Sequence, residues 1–307
     1  MLRRLFLAAS AALVLSFTTA CSQEDVTYSA LRLEQKMAGL ERKTLQLGDH
    51  EVTYLEGGKG PTIVMLHGIT ADSGNWTRFA RYYTSNYHVV IPDLPGFGDS
   101  SRIPTASYSI PAQSERIHAF TQALGVQKFH LVGNSMGGYI GAYYAAHHPQ
   151  NVLSLGLFDA AGVDAPQRTA FMEDLYAGRP NQMLPADRED FRRVLKLVME
   201  DPPYIPGFAI DVLADKALKY REFNRKVFAE LQQQQLDLTP LLPKITAPTL
   251  LLWGELDRVL DPSAIPVFQR HLTSSKTKVE ILPGVGHLPM LEQPGETAKR
   301  YSAFLGS

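Results

Sequence analysis

Apolar positions along the chain fall into two rhythms. Short, nearly continuous runs of valine, isoleucine and leucine occupy 62–67, 88–92, 129–133, 152–158, 249–253 and 278–282. Runs of this length predict parallel strands buried on both faces, since a half-exposed strand would alternate with polar residues. Between them the spacing turns helical. One such segment begins near Pro111, carries Ile117, Phe120 and Leu124 on one face and stops at Gly125; another starts after Ser135 and ends before Pro149. A hairpin precedes the first run, with strands at 44–47 and 51–55 around a Gly48-Asp49 turn. Alternating strand and helix is the pattern of an α/β domain.

The alternation breaks between Asp159 and Pro248, about ninety residues with no strand-like run. A crossover helix and its loops need far fewer. The segment therefore predicts a helical insertion over one edge of the sheet, with helices at 187–199 and 208–230 among its elements. At the other end, Arg3 and Arg4 precede a thirteen-residue apolar run at 5–17 and the small residues Thr18, Thr19 and Ala20. Thirteen helical residues rise about 20 Å, short of a bilayer core of about 30 Å, so the run predicts an export signal rather than a span. The expected organisation is a signal at 1–20, a tether with a short helix at 21–43, a core at 44–159 and 248–307, and a helical cap at 160–247.

Charge narrows the partners. Thirty lysines and arginines against 31 acidic residues give a net charge of −1, and loss of Arg3 and Arg4 with the signal leaves 28 against 31. Nothing in that balance favours nucleic acid, whose phosphates select for a basic excess. The one cysteine, Cys21, excludes an intrachain disulfide and a Cys-rich zinc or iron–sulfur site. Thr-Thr-Ala-Cys at 18–21 resembles a bacterial lipobox, which implies acylation of Cys21 and a mature chain held at a membrane surface. Ala20 equally suits an ordinary signal peptidase, so soluble secretion and an uncleaved anchor stay open.

The chemistry gathers at strand ends. Gly133-Asn134-Ser135-Met136-Gly137 fits G-x-S-x-G, with an apolar strand before it and a small-residue helix after it. A nucleophile on such an elbow holds a strained backbone and needs neighbours without side chains. A serine hydroxyl also needs a base, and the base an orienting acid. Of nine histidines, His287 sits in Gly284-Val-Gly-His287 just after the last strand, where a flexible loop lets an imidazole reach back. Asp257 follows the penultimate strand directly; Asp159, at the end of the 152–158 strand, is the alternative acid. Acyl transfer further requires two backbone amides for the oxyanion. Met136 supplies one, and Ile69 the other if Gly68 adopts an unusual backbone angle. His67 reads as a structural hydrogen-bonding group.

Taken together, M-L-H-G at 65–68, D-L-P-G-F-G-D-S at 93–100, G-N-S-M-G-G at 133–138, W-G-E-L-D at 253–257 and G-H-L-P-M-L-E-Q-P at 286–294 resemble the α/β-hydrolase superfamily in their order. Within it the chain is similar to bacterial lipases and esterases of the monoacylglycerol-lipase type. The resemblance implies a mostly parallel eight-stranded sheet and places Ser135 as nucleophile, Asp257 as acid, His287 as base and Ile69 with Met136 at the oxyanion. It also marks Asp93 and Glu292 as structural, and implies no metal or organic cofactor. Phe171, Met172 and Leu175 of the insertion are expected to line an acyl pocket, and a lipid or other small ester is the expected substrate.

Two alternatives accompany this reading. Carbon–carbon hydrolases of aromatic ring-cleavage products share G-N-S-M-G-G, but commonly carry tryptophan where this chain has Leu288. A non-catalytic binding protein of the same fold would be expected to have lost one of the three catalytic positions, and here all are filled.

Overall fold

The computed structural model describes residues 22–234 and 236–306. Eight strands form one sheet: β1 (Leu40–Leu47), β2 (His50–Gly57), β3 (Thr62–Leu66), β4 (His88–Pro92), β5 (Phe129–Asn134), β6 (Val152–Phe158), β7 (Thr249–Gly254) and β8 (Thr277–Leu282). Their order across the sheet is β1-β2-β4-β3-β5-β6-β7-β8. The first two junctions, β1 with β2 and β2 with β4, are antiparallel, and all others are parallel.

The continuous apolar runs up to β7 are explained by two cores, one on each face; β8, expected to be buried on both faces, is a half-exposed edge strand with Ile281 in solvent. Along β3, Val64 and Leu66 enter the core built on the helices Ile110–Ala123, Met136–His147 and Ala264–His271, while Ile63 and Met65 enter the other. That second core gathers Trp76, Phe79, Tyr83, Phe158, Tyr301 and Phe304 in edge-on and tilted aromatic contacts. Successive side chains leave opposite faces of a strand, so a strand covered on both sides has no polar position to spare.

The 21–43 segment departs from the expected tether. Residues Gln23–Met37 form a helix opened by a capping box, in which the Ser22 hydroxyl accepts from the Asp25 N–H and the Asp25 carboxylate accepts from the Ser22 N–H. The helix is docked: Glu34 pairs with Arg78 at 2.7 Å, Thr27 is buried, and the Thr84 hydroxyl donates to the Ala38 carbonyl at 2.8 Å. Strand β1 then begins at Leu40, four residues before the predicted start. Cys21 and the apolar run before it lie outside the described residues. Among the described residues no helix is long and apolar enough to cross a membrane.

The insertion between β6 and β7 contains four α-helices among the described residues, Ala170–Tyr176, Arg188–Val198, Gly207–Lys219 and Arg221–Gln234. The single helix expected at 208–230 is divided at Tyr220, where the chain turns and the ring lies 3.5 Å from the Arg102 guanidinium. Apolar spacing carries no mark of a one-residue break. Nor does the insertion sit over one edge. It bonds to the loop after β3 (Lys216 to Asp72, 3.1 Å), the loop after β4 (Lys226 to the Ala106 carbonyl, 2.9 Å) and the loop after β8 (His287 N–H to the Val198 carbonyl, 3.0 Å). It therefore spans the carboxyl ends of the parallel strands, the region where such sheets hold their sites.

Lys216 is the charged centre of this closure, reaching both Asp72 and, at 3.3 Å, Asp99, which also pairs with Arg42. Burial pushes both carboxyls up, but Lys216, joined by Arg42 at Asp99, reverses this and holds them below the usual carboxylate range. Their contribution to stability is thus present at neutral pH and lost as pH falls through the lowered values. Lys216→Met is expected to cost about 1–2 kcal/mol, less than the roughly 3–5 of a fully buried pair because Asp99 is partly exposed. Urea unfolding at pH 7 and at pH 3, below the ordinary carboxylate range, should show the variant's deficit shrinking at the lower pH.

Candidate active site

The strand β5 ends at Asn134 and the helix Met136–His147 begins two residues later, leaving Ser135 alone on the turn. Its backbone is left-handed, with φ 54° and ψ −119°. A non-glycine residue there costs on the order of 1–3 kcal/mol and persists only where its surroundings impose it. The neighbours impose it by closeness. A Cβ on Gly133 would lie 2.2 Å from the Gly137 carbonyl oxygen, and one on Gly137 would lie 2.2 Å from that of Leu66. Ser135 occupies the N-cap position, yet its hydroxyl makes no capping bond. The side chain is left for other work.

His287 and Asp257 meet at that turn. The His287 Nδ1–H donates to Asp257 Oδ2 at 2.7 Å, and the two side chains are almost wholly removed from solvent. The other carboxylate oxygen, Oδ1, accepts from the N–H groups of Val259 (2.7 Å) and Leu260 (3.0 Å). This division of labour fixes the carboxylate plane and leaves one oxygen for the imidazole. It also fixes the imidazole: with Nδ1 donating, neutral His287 presents a bare Nε2. That nitrogen is buried and has no hydrogen-bond partner among the described residues. It is the atom a general base would use.

Asn134 ties the two halves. Its Nδ2 donates to the His287 carbonyl at 3.0 Å and to the Phe158 carbonyl at 3.2 Å. The histidine loop is held a second time by Glu292, whose Oε1 accepts from the Gly286 N–H at 3.0 Å. Its Oε2 accepts from the N–H groups of Glu200 and Asp201 at 2.8 and 3.0 Å. Sequence reasoning assigned Glu292 a structural part without locating it, and passed over Asn134. A polar residue closing an otherwise apolar strand was the signal available.

The loop after β3 runs against the nucleophile turn. The left-handed residue in it is Thr70 (φ 61°), not Gly68 as expected. The space at 68 is tight instead: a Cβ there would approach the Ser135 Cβ to 3.2 Å and the Asn134 Oδ1 to 3.4 Å, so a larger residue would press on the turn by a few tenths of an ångström. This packs Gly68, the residue before Ile69, against Ser135. On the far side, the first N–H groups of the helix starting at Met136 have no intrahelical acceptor. His67 is fully buried, its Nε2 accepting from the Leu94 N–H at 2.9 Å and its Nδ1–H donating to the Gly68 carbonyl at 2.7 Å. Burial lowers its pKa, which keeps it neutral and out of acid–base work. Asp93 accepts from the Ser73 and Asp99 N–H groups at 2.7 and 2.8 Å and so pins two loops together.

Asp159, the alternative acid, is buried beside the pair but makes no hydrogen bond to His287; its Oδ1 accepts from the Gly254 N–H at 2.8 Å. The three residues expected to line an acyl pocket divide. Phe171 is buried in the core with Trp76 and Phe158, and Leu175 packs against that core. Met172 lines a cavity shared with Ala160, Val163 and Leu260 and with the charged Asp164, Arg168 and Asp261.

The family model of the alpha/beta hydrolase fold matches residues 61–294. The chain belongs to the α/β-hydrolase family. A curated lipase 1 of Psychrobacter immobilis is 33% identical over 285 residues, covering 91% of this chain and 89% of that protein. The monoacylglycerol lipase abhd6-B of Xenopus laevis is 34% identical over 289 residues, covering 89% and 84%. Among solved structures, one described as a membrane phospholipase A, a bacterial virulence factor, superposes with a TM-score of 0.90 at 45% identity. It covers 99% of this hydrolase and 97% of that chain.

Asp257→Asn removes the charge and offers Nδ1 of His287 a donor in place of an acceptor. Ester turnover is expected to fall by about 10⁴ in kcat with little change in KM, as for triads in which the imidazole is forced into the wrong tautomer. Steady-state kinetics on a chromogenic ester checks this, with circular dichroism to confirm the unchanged fold.

Proposed function

We propose that this hydrolase cleaves carboxylic esters of lipids, of the monoacylglycerol, lysophospholipid or related glycerolipid kind, through an acyl-enzyme on Ser135. The observation that carries the reading is the buried His287–Asp257 pair with a bare Nε2, on a loop bonded to the residue next to the strained Ser135. Ser135 Oγ attacks the ester carbonyl as His287 takes its proton, and Asp257 steadies the imidazolium. The oxyanion is received by the N–H groups of Ile69 and Met136. His287 then returns the proton to the departing alcohol, and the same groups direct water onto the acyl-enzyme. Lipase and monoacylglycerol lipase relatives that align over most of the chain support an ester over a carbon–carbon substrate. A paired acid and base support an enzyme over a binding protein.

The surface of action is a membrane in this reading. Residues 3–21 carry the features of an export signal ending at a cysteine, and acylation of Cys21 would hold the exported enzyme against lipid. The structural relative described as a membrane phospholipase A supports this placement. Met172 and the cavity beside Ala160 are the part of the insertion best placed to meet an acyl chain.

Two experiments test the proposal. A fluorophosphonate probe should label the wild type and not Ser135→Ala, and a series of acyl esters should show turnover rising beyond acetate. Absent labelling of folded protein, or activity confined to acetate, would refute the assignment. Cys21→Ser should move the protein from the membrane to the soluble fraction; a variant that stays with membranes places the anchor in the apolar run itself.

A further inference from the structure

Asp159 ends β6 in a conformation that needs explaining. It is fully buried, its backbone is left-handed at φ 46°, and only one of its carboxyl oxygens finds a donor. The other, Oδ2, is enclosed and has no N–H or O–H partner among the described residues. One oxygen of Asp159, one of Asp257 and a ring nitrogen of His287 all lie within 4.8 Å of one another. The charged and titratable groups that face Asp159 are Asp257, His287 and, further off, Glu292, and no arginine or lysine is paired with it among the described residues.

Two carboxylates so placed in a dry site cannot both stay ionised, and one proton is shared between them. Which one holds it follows from the donors. Asp257 receives three: the N–H groups of Val259 and Leu260, and His287 Nδ1–H. Asp159 receives one, from Gly254. The proton belongs to the carboxyl with fewer donors, and on Asp159 it gives the unpartnered Oδ2 a hydrogen bond to make.

We propose that Asp159 is a positioning residue of the catalytic centre, a neutral acid whose Oδ2–H donates to the Asp257 carboxylate, holding it on His287 and moderating the basicity of that histidine. Burial first, and then the charge of Asp257, push the Asp159 carboxyl well above the usual carboxylate range. The proton stays on Asp159 throughout: as His287 gains and returns the serine proton, the two carboxyls together carry a single negative charge. The role rests on the acyl-enzyme reading of Ser135, and its test separates the two.

Removing the donor leaves the whole charge of Asp257 facing His287, so the imidazole becomes more basic and the acid limb of kcat/KM moves to higher pH. In Asp159→Ala that limb is expected to rise by about 0.5–1 pH unit, with kcat down about tenfold and KM within about twofold. Asp159→Asn keeps a donor in the same place and should restore kcat to within about threefold of wild type, with the acid limb unmoved. A difference infrared spectrum at neutral pH, wild type minus Asp159→Asn, should contain one protonated-carboxyl stretch. That measurement needs no turnover, so it decides the protonation even if Ser135 fails to label. The proposal is overturned if the band is missing, if Asp159→Asn loses as much kcat as Asp159→Ala, or if the acid limb of Asp159→Ala stays in place.

Discussion

The closeness of three backbones at the Ser135 turn is the constraint on which the rest depends. Strand β5, the helix Met136–His147 and the end of β3 approach until the Leu66 carbonyl, Gly133 and Gly137 leave no volume for a Cβ between them. That contact bends the chain sharply enough to put Ser135 in the left-handed region and to free its hydroxyl from the cap it would otherwise form. Packing on both faces holds the arrangement, because β5 is central and its neighbours are buried to either side. The strain at one residue is small beside the burial of a two-sided sheet, where each large apolar side chain contributes about 1.5–3 kcal/mol.

Electrostatics at the site work by counting donors. Carboxylates near His287 are each assigned their own backbone N–H groups: Asp257 by Val259 and Leu260, Glu292 by Gly286, Glu200 and Asp201. A charge so anchored cannot swing to another partner. After β4 the same device recurs with Asp93, whose two oxygens take N–H groups from two loops. Fixed backbone dipoles of this kind need no reorganisation when charge moves, which is the condition for effective catalysis in a low-dielectric pocket.

Much of this was legible in the sequence because it is local. Five buried strands announced themselves as unbroken apolar runs, and the turn at Ser135 through glycines two residues away on each side; the sixth run proved to be the half-exposed edge strand β8. The order serine, aspartate, histidine after β5, β7 and β8 pointed to Asp257 and His287, which the fold brings into a hydrogen bond. What could not be read is non-local or carried by the main chain. A short helix was expected before β1, but its docking was not, because Gln23–Met37 is largely polar and is held by scattered contacts such as Glu34–Arg78, 44 positions apart. Lys216 is one lysine among many until the fold sets it between Asp72 and Asp99. The left-handed residue of the loop after β3 proved to be Thr70, two residues beyond the glycine that packs closely on Ser135.

The hydrogen bond from the His287 N–H to the Val198 carbonyl has a consequence for redesign. The stretch from Val198 to Asp201 is bonded to the catalytic loop by three main-chain groups, one direct and two through Glu292. Shifting that stretch to enlarge the entrance would drag the base with it. The helix Ala170–Tyr176 is joined to the loop after β7 through the hydroxyl of its N-cap, Thr169, on the Val259 carbonyl, and carries no such bond to His287. Changes meant to widen the range of accepted molecules therefore belong on that helix, while Val198–Asp201 serves as the fulcrum and should be left as it is.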